Sequence, residues 1–575
     1  MLKKCISHFK WLVIAYVGLG FVEQFFNSMS IVYFQKILDL VSYGRVENHI
    51  TTILTVYGLL LVGICVVSYV KDYPAVKLEN GIFERLKIMA LSKISKINYK
   101  AYQEIGTGEM IKVIENGAAA GQNMIFSFYL RICHELLPTI IFSLLFISFY
   151  DLKIMALIIL GYVVIFFITN VLLKFLYNVK SSLLKDQEDS SKYSIRGFME
   201  LVVFRTNKRY GKEIRRLENI AGRIVNKNAK IKMIHESFFA IFAFLITLIK
   251  IGVLFTGISS VIRGEISIGV IVAIIMFIDK VYTPIAIFNV IFVEYKLNKV
   301  AYKRFESFLS APEDKNLDRG YRLTGTSGEI EFKNVSFAYD QQEVLSNVAF
   351  RIKPGEKVAL VGLSGSGKST IVKLLVGLLK KHKGEILWDG KDIDSVALNS
   401  LYDSITYIPQ EPPIFDTTIR ENITLDHADH VSDEYLYAIL DQVHLKAKVS
   451  SLPEKLDTHV GERGIKLSGG EKQRLAFARA IYQDKKVLIL DEPVSALDNI
   501  TENSIMNRLL ETCQDKTLII VAHRLNFVKN VDKILVVKHG RIVGQGDFEY
   551  LLEHCDEFRE LWNKQSAANP SSLHV

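Results

Sequence analysis

Gly362-Leu363-Ser364-Gly365-Ser366-Gly367-Lys368-Ser369-Thr370 decides the reading of this chain. An apolar run, Lys357-Val358-Ala359-Leu360-Val361, precedes it, and another, Ile371-Val372-Lys373-Leu374-Leu375, follows. The order is strand, glycine-rich loop, helix, with the spacing G-x-x-x-x-G-K-S of a phosphate-binding loop. Gly362, Gly365 and Gly367 let the backbone curl so that successive N–H groups, through Ser364, Ser366 and Thr370, form an anion nest. The following helix adds its positive dipole end. Lys368 is expected to reach the β- and γ-phosphates of a nucleotide, and the Ser369 hydroxyl to ligate Mg²⁺.

Working outward, a second constellation lies at Val487-Leu488-Ile489-Leu490-Asp491-Glu492. Four apolar residues make a buried strand that ends in two carboxylates. Asp491 is placed to hold Mg²⁺. Glu492 is placed as a general base for a water attacking the γ-phosphate. Between the two lies Leu467-Ser468-Gly469-Gly470-Glu471-Lys472-Gln473-Arg474. Ser468 is positioned to cap a helix, and Gly469 and Gly470 leave its N–H groups open to an anion. Two phosphate-facing helix ends on one domain suggest that two copies sandwich nucleotide.

The region after residue 328 alternates short strands with helices, which predicts an α/β domain with a largely parallel core. The region before residue 311 is different. Six apolar stretches run about 11–41, 51–70, 132–150, 154–177, 237–261 and 267–293. Most match the roughly 20 helical residues that cross a ~30 Å hydrocarbon core. The stretch at 132–150 is short alone and is expected to be lengthened by the helix before it. None has the alternation of a barrel. The fold class is therefore an all-α six-helix transmembrane domain followed by an α/β P-loop nucleotide-binding domain. The expected divisions are 1–310, a polar linker at 311–328, the cassette at 329–565 and a tail at 566–575.

Half of the 575 residues are apolar and the formal charge is +9. The basic residues concentrate in two long connections, 71–131 and 178–236, while the short connections hold only Arg45, Lys153 and Arg263. The positive-inside rule then puts the long connections and both termini in the cytosol, so the charge is topological and no nucleic acid is implied. Each long connection reads as a helical hairpin below the membrane. Gly106-Thr107-Gly108-Glu109 and Arg205-Thr206-Asn207 are the candidate docking positions. The five cysteines (Cys5, Cys65, Cys133, Cys513 and Cys555) are widely spaced, which argues against a disulfide framework or a zinc site. The basic N-terminus leads into an apolar stretch without a small-residue cleavage site, which reads as a retained helix. Within the spans sit Glu23, Lys250, Asp279 and Lys280. Lys250 is expected to pair with Asp279 and Glu23 with Lys280, either lining a polar path or holding helices in register. Pro284 is expected to kink the sixth span.

The order of motifs across 329–565 resembles the ATP-binding cassette (ABC) nucleotide-binding domain, and the stretch at Leu467 resembles that family's signature. The resemblance implies further roles. Gln410, in Tyr407-Ile408-Pro409-Gln410, matches the glutamine that contacts the metal and the membrane domain. His523 matches the switch histidine at the γ-phosphate, and Tyr339 the aromatic that stacks on adenine. His459 to Gly464 resembles a segment that senses the membrane domain in exporters. Glu471 departs from the commonest signature, which has Gln, and Val494 stands where Thr is common. The first half resembles the exporter-type membrane domain, with six spans ahead of one cassette and no peptidase-like extension. The resemblance implies a half-transporter that hydrolyses ATP with Mg²⁺. It would pair with a second half, a homodimer or a heterodimer, in the cytoplasmic membrane lipid bilayer. The cargo expected is an amphipathic substrate (peptide, lipid or drug) carried outward. An importer, for example of a metal chelate, and a soluble cassette for translation or DNA repair are the alternatives.

Overall fold

A computed structural model describes residues 2–42, 49–105, 107–150, 152–199, 201–340, 342–425, 431–461, 464–493, 499–522, 524–525 and 527–568. The chain divides into two compact units, Met1–Ser95 with Ile105–Ala311, and Lys96–Glu104 with Pro312–Val575.

The first unit is helical throughout. Its elements are α1 (Leu2–His8), α2 (Lys10–Ser42), α3 (His49–Ile94), α5 (Thr107–Gln122), α6 (Leu137–Tyr150), α7 (Leu152–Met199), α8 (Leu201–Thr206), α9 (Tyr210–Ile262) and α10 (Ile268–Leu309); α4 (Tyr99–Ile105) bridges the division between the units. Two π-helical stretches, Asn123–Leu130 and Ile132–Leu136, link α5 to α6. Among the described residues, five helical segments are long and apolar enough to cross a membrane. They are Lys10–Ser42, Ile50–Ile94, Met110–Tyr150, Tyr210–Ile262 and Ile268–Leu309. The third joins the short apolar stretch at 132–150 to the helix before it, as the sequence leads one to expect. The fourth expected span falls on α7, 48 residues long, many of whose side chains lie outside the described set. The helices far outrun a ~30 Å core, so each continues beyond the bilayer. Pro284 lies inside the unbroken α10, where its missing N–H withholds the bond that the Lys280 carbonyl would otherwise accept.

The charges in the spans are paired differently from expectation in one case. Lys250 does meet Asp279, at 2.6 Å. Glu23 does not meet Lys280. It pairs with Lys71, 2.6 Å away on α3. Lys71 sits just past the end of the apolar stretch read from sequence, where α3 packs along α2, and the pairing follows from that helix contact.

The second unit holds two sheets. One is four-stranded and antiparallel, in the order β2 (Gln342–Ile352), β1 (Ile330–Tyr339), β4 (Lys383–Trp388), β5 (Lys391–Asp392). The other is six-stranded, in the order β10 (Arg541–Gly546), β9 (Lys533–Lys538), β3 (Lys357–Val361), β8 (Thr517–Val521), β7 (Val487–Asp491), β6 (Ile405–Ile408). All its neighbours are parallel except β10 with β9. Strands β3, β7 and β8 are nearly continuous runs of buried Val, Ile and Leu, which is how a sheet covered on both faces reads. The antiparallel sheet was not expected from the sequence; register shifts interrupt the pairing of its strand β1 with β2.

Lys96–Glu104 belongs to this second unit. The Asn98 N–H donates to the Pro312 carbonyl (3.0 Å) and the Asp314 N–H to the Lys96 carbonyl (2.9 Å). The Asn98 side chain caps α4 by accepting from the Ala101 N–H, and Lys100 pairs with Asp340 at 2.9 Å. The docking positions expected at Gly106 to Glu109 thus begin just after the stretch grouped with the cassette. Gly106 itself lies outside the described residues, and Thr107 already opens α5. Arg205-Thr206-Asn207 ends α8 and turns toward α9 within the first unit.

Candidate functional site

The phosphate loop sits where β3 hands over to α11 (Lys368–Leu375). The turn is possible only with glycine at its start. Gly362 has φ +151°, and a Cβ there would lie 2.2 Å from the Val537 carbonyl oxygen on the neighbouring β9. Gly365 has φ +78° with open space around it, so it supplies backbone freedom alone. The loop borders a cavity of about 370 Å³ lined by Val344, Ser364, Gly365, Gly367, Lys368, Ser369, Thr370, Gln410 and Glu492. All but Val344 are residues that the sequence singles out. Val344 comes from the antiparallel sheet, which the sequence did not reveal.

Lys368 is buried, and its ammonium donates to the Gly362 and Leu363 carbonyls at 2.9 and 3.0 Å. Burial lowers its pKa, against the opposing pull of Glu492 and Asp491. The ammonium is therefore held at the loop rather than in solvent, pointed where phosphate oxygens would compete for it. The Ser366 hydroxyl is buried without a hydrogen-bond partner among the described residues. An orphaned donor in a curled loop is consistent with an anion taking that place.

Strand β7 delivers the two carboxylates. Asp491 accepts from the Ser369 hydroxyl at 3.2 Å and from the Tyr407 hydroxyl at 3.4 Å. Burial raises its pKa above the ordinary carboxylate range, opposed by the Ser369 bond. Ser369 Oγ and Asp491 Oδ1 are two hard oxygen donors side by side, and Ser369 lines the cavity. That set fits Mg²⁺, which takes one or two protein oxygens and completes its octahedron with phosphates and water. Glu492 has φ +52°, an uncommon conformation for a non-glycine residue, which turns its side chain off the strand line. Its Oε2 accepts from the Gln410 amide at 2.7 Å. Gln410 and Glu492 are thus brought to one wall of the cavity.

Tyr407 is a site residue that sequence reasoning missed. It lies two residues before Pro409 on β6, and only the adjacency of β6 and β7 in the sheet brings it to Asp491. Its pKa is raised, first by burial and then by Asp491. Tyr339 ends β1, partly exposed, with Phe337 edge-on to it at 4.9 Å. The Tyr339 ring is thus accessible to a stacking partner in part.

The signature helix, α16 (Gly469–Gln483), begins with a complete capping box. The Ser468 hydroxyl accepts from the Glu471 N–H at 3.3 Å, and Glu471 Oε2 accepts from the Ser468 N–H at 2.7 Å. The departure from the commoner Gln at this position has a physical account. A carboxylate makes the stronger reciprocal bond and complements the helix dipole. Desolvation works against the charge, but the bonds from Ser468 and nearby Lys448 outweigh it and lower the Glu471 pKa. Gly469 and Gly470 occupy the first turn, and neither lines the cavity around Lys368. His523, Val494 and residues 462–463 lie outside the described residues.

A family model described as the ABC transporter transmembrane region matches residues 13–285, and one described as ABC transporter matches residues 345–495. The chain belongs to the ABC transporter family. Among curated ABC proteins, the human ATP-binding cassette sub-family B member 6 is 28% identical over 576 residues, covering 97% of this chain and 68% of that one. A lipid A-core flippase of Haemophilus influenzae is 37% identical over 284 residues, covering 49% of this chain and 48% of the flippase. The Xenopus tropicalis sub-family B member 6 is 40% identical over 298 residues, 35% of its own length. The ABC chain thus spans between about a third and two thirds of these relatives. A solved structure of a bacterial Atm1-family ABC exporter with ATP bound superposes with a TM-score of 0.84, at 23% identity, over 98% of this chain and 99% of that one. That similarity establishes the fold, a helical domain followed by an α/β cassette, and the transmembrane-region match makes the chain a multi-pass membrane protein.

Proposed function

We propose that this chain is one half of an ATP-driven exporter that moves an amphipathic substrate across the cytoplasmic membrane, most simply as a homodimer. One observation carries the reading. A single cassette holds a complete phosphate cradle around Lys368 and, away from that cavity, a second glycine-opened helix start at Ser468. Each cassette therefore offers half of a site, and a second chain supplies the complement.

In this reading Lys368 exchanges its two backbone carbonyls for nucleotide phosphate oxygens. Ser369 and Asp491, with the Gln410 side-chain carbonyl, would hold Mg²⁺, which would neutralise phosphate charge. Glu492, held by the Gln410 amide, orients and deprotonates the attacking water. His523 is assigned to the γ-phosphate, and the partly exposed ring of Tyr339 to the adenine. Ser468, Gly469 and Gly470 present the α16 N-terminus to nucleotide bound on the partner. Nucleotide then favours the closed cassette pair through contacts that the open pair lacks, and hydrolysis removes them. The cassettes and both termini are assigned to the cytosol from the distribution of Lys and Arg. The export direction is supported by the names of the flippase and the exporter that the chain resembles.

The test is transport by the full chain in inside-out membrane vesicles. With ATP outside, a fluorescent amphiphile is expected to accumulate in the lumen. Loss of preloaded amphiphile from the lumen would reverse the direction, and no ATP-dependent movement of any amphiphile would remove the reading.

A further inference from the structure

The spans hold more charge than the ATP cycle uses, and nearly all of it is compensated. Glu23 pairs with Lys71, Lys250 with Asp279 and Arg131 with Glu135. Asp39 accepts from the Gly269 N–H, at the positive end of α10. Lys36 lies close to the outer end of α2, over the Tyr33 ring at 4.8 Å. With Lys174 near the inner end of its span, the exception at mid-depth is Lys280. Among the described residues it has neither an ion pair nor a hydrogen bond through its ammonium, although it is half-buried.

Its depth makes this costly. Lys280 is 12 residues into α10, counted from Ile268. At about 1.5 Å per residue that is ~18 Å down, near the middle of the hydrocarbon layer. Its surroundings on α10 set its direction. Met276, Asp279 and Thr283 form an exposed stripe beside it, and Asp279 carries the Lys250 pair on that stripe. An exposed ion pair at this depth does not face lipid; such groups face a water-filled cavity or another chain. The basic residues further down α10, Lys296, Lys299 and Lys303, follow from cytosolic topology and carry no part of this argument.

We propose that Lys280 is the anchor for an anionic group, a carboxylate or a phosphate, on the transported molecule. The charges named from the sequence sum to zero and leave the sign of the cargo open. Pairing Glu23 with Lys71 leaves Lys280 as the uncompensated charge among those four. The inference rests on the transporter reading, because only a chain that lines an aqueous cavity presents Lys280 to cargo.

The experiment uses full-length chain in nanodiscs and three fluorescent amphiphiles with one tail and different heads: carboxylate, phosphate monoester and trimethylammonium. The wild type is expected to bind the two anionic probes at least about tenfold more tightly than the cationic one. Lys280→Gln is expected to erase that preference and Lys280→Arg to keep it. A stronger response to the phosphate or to the carboxylate names the head group within the class. Equal wild-type binding of all three probes overturns the proposal without any variant. It is also overturned if Lys280→Gln keeps the preference while losing dimer, because the lysine then pairs across the interface. ATP hydrolysis by the same wild-type preparation reports separately on the transporter reading. Hydrolysis without anionic preference removes the anchor alone, and absent hydrolysis removes both.

Discussion

The cassette and the membrane unit both bury charged side chains, but they fix them by different means. In the cassette the groups that matter are placed by the backbone. Lys368 follows a glycine turn, Asp491 and Glu492 end a strand, and Ser468 starts a helix. Lys368 and Ser468 find their partners within the same loop or turn, and the carboxylates find theirs one or two strands away in a parallel sheet. In the membrane unit, charges are fixed by which helix faces which. Glu23 and Lys71 meet across two helices, and so do Lys250 and Asp279. A charge held by a turn is specified by a few contiguous residues, whereas a charge held by helix rotation depends on the whole bundle.

The largest effect that sharpens this contrast is expected at Lys368. Lys368→Ala removes a charged hydrogen-bonding group from the cradle, and nucleotide affinity should fall by about 10²-fold or more. Titration with a fluorescent ATP analogue measures it. Near-normal affinity would mean that the loop amides alone hold the phosphates.

The next test compares two turn positions. Gly362→Ala forces a Cβ to within 2.2 Å of the Val537 carbonyl, and Gly365→Ala meets nothing within 4 Å. The first should destabilise the cassette by about 3 kcal/mol or more, and the second by about 1–2 kcal/mol from its positive φ alone. Thermal unfolding of the two variants ranks them. Equal losses would show that backbone conformation, not the approach of β9, sets the glycine requirement.

In the membrane unit, Lys71→Met leaves the Glu23 carboxylate, only 10% exposed, without its cation. A loss of about 2 kcal/mol is expected, and Glu23→Gln added to it should restore most of that. The double-mutant cycle is read from thermal unfolding in nanodiscs. Additive losses would mean that the pair does not hold α2 to α3. The smallest effect is expected at the signature. Glu471→Gln keeps the geometry of the capping box and gives up only the charge, for about 0.5 kcal/mol. A drop of several-fold in hydrolysis at unchanged stability would show that the carboxylate acts on nucleotide and not only on the helix.

These differences explain what the sequence made legible. The phosphate loop, the strand-end carboxylates and the signature are contiguous and chemically restricted, so their types and spacing announce them. Tyr407 was not legible. Its bond to Asp491 depends on β6 lying beside β7, and strand order is not written in either strand. The Glu23 partner was misread as Lys280 because depth alone was used, while the packing of α2 along α3 selects Lys71. Lys250 and Asp279 were read correctly because they lie at matching depths on helices joined by a short turn. Lys96–Glu104 gave no signal either. Its place with the cassette rests on backbone bonds to Pro312 and Asp314, which no side-chain pattern predicts. Strand β1 alternates legibly from Ile330 to Phe337, but its antiparallel pairing with β2 and β4 is not written in its own residues.

The account turns on Glu492 as the base of a complete ATPase site. ATP hydrolysis by the full chain in nanodiscs, wild type against Glu492→Gln, measures this most directly. The variant is expected to bind ATP normally and to lose at least about 10²-fold in turnover. Wild-type-like turnover by Glu492→Gln would contradict it.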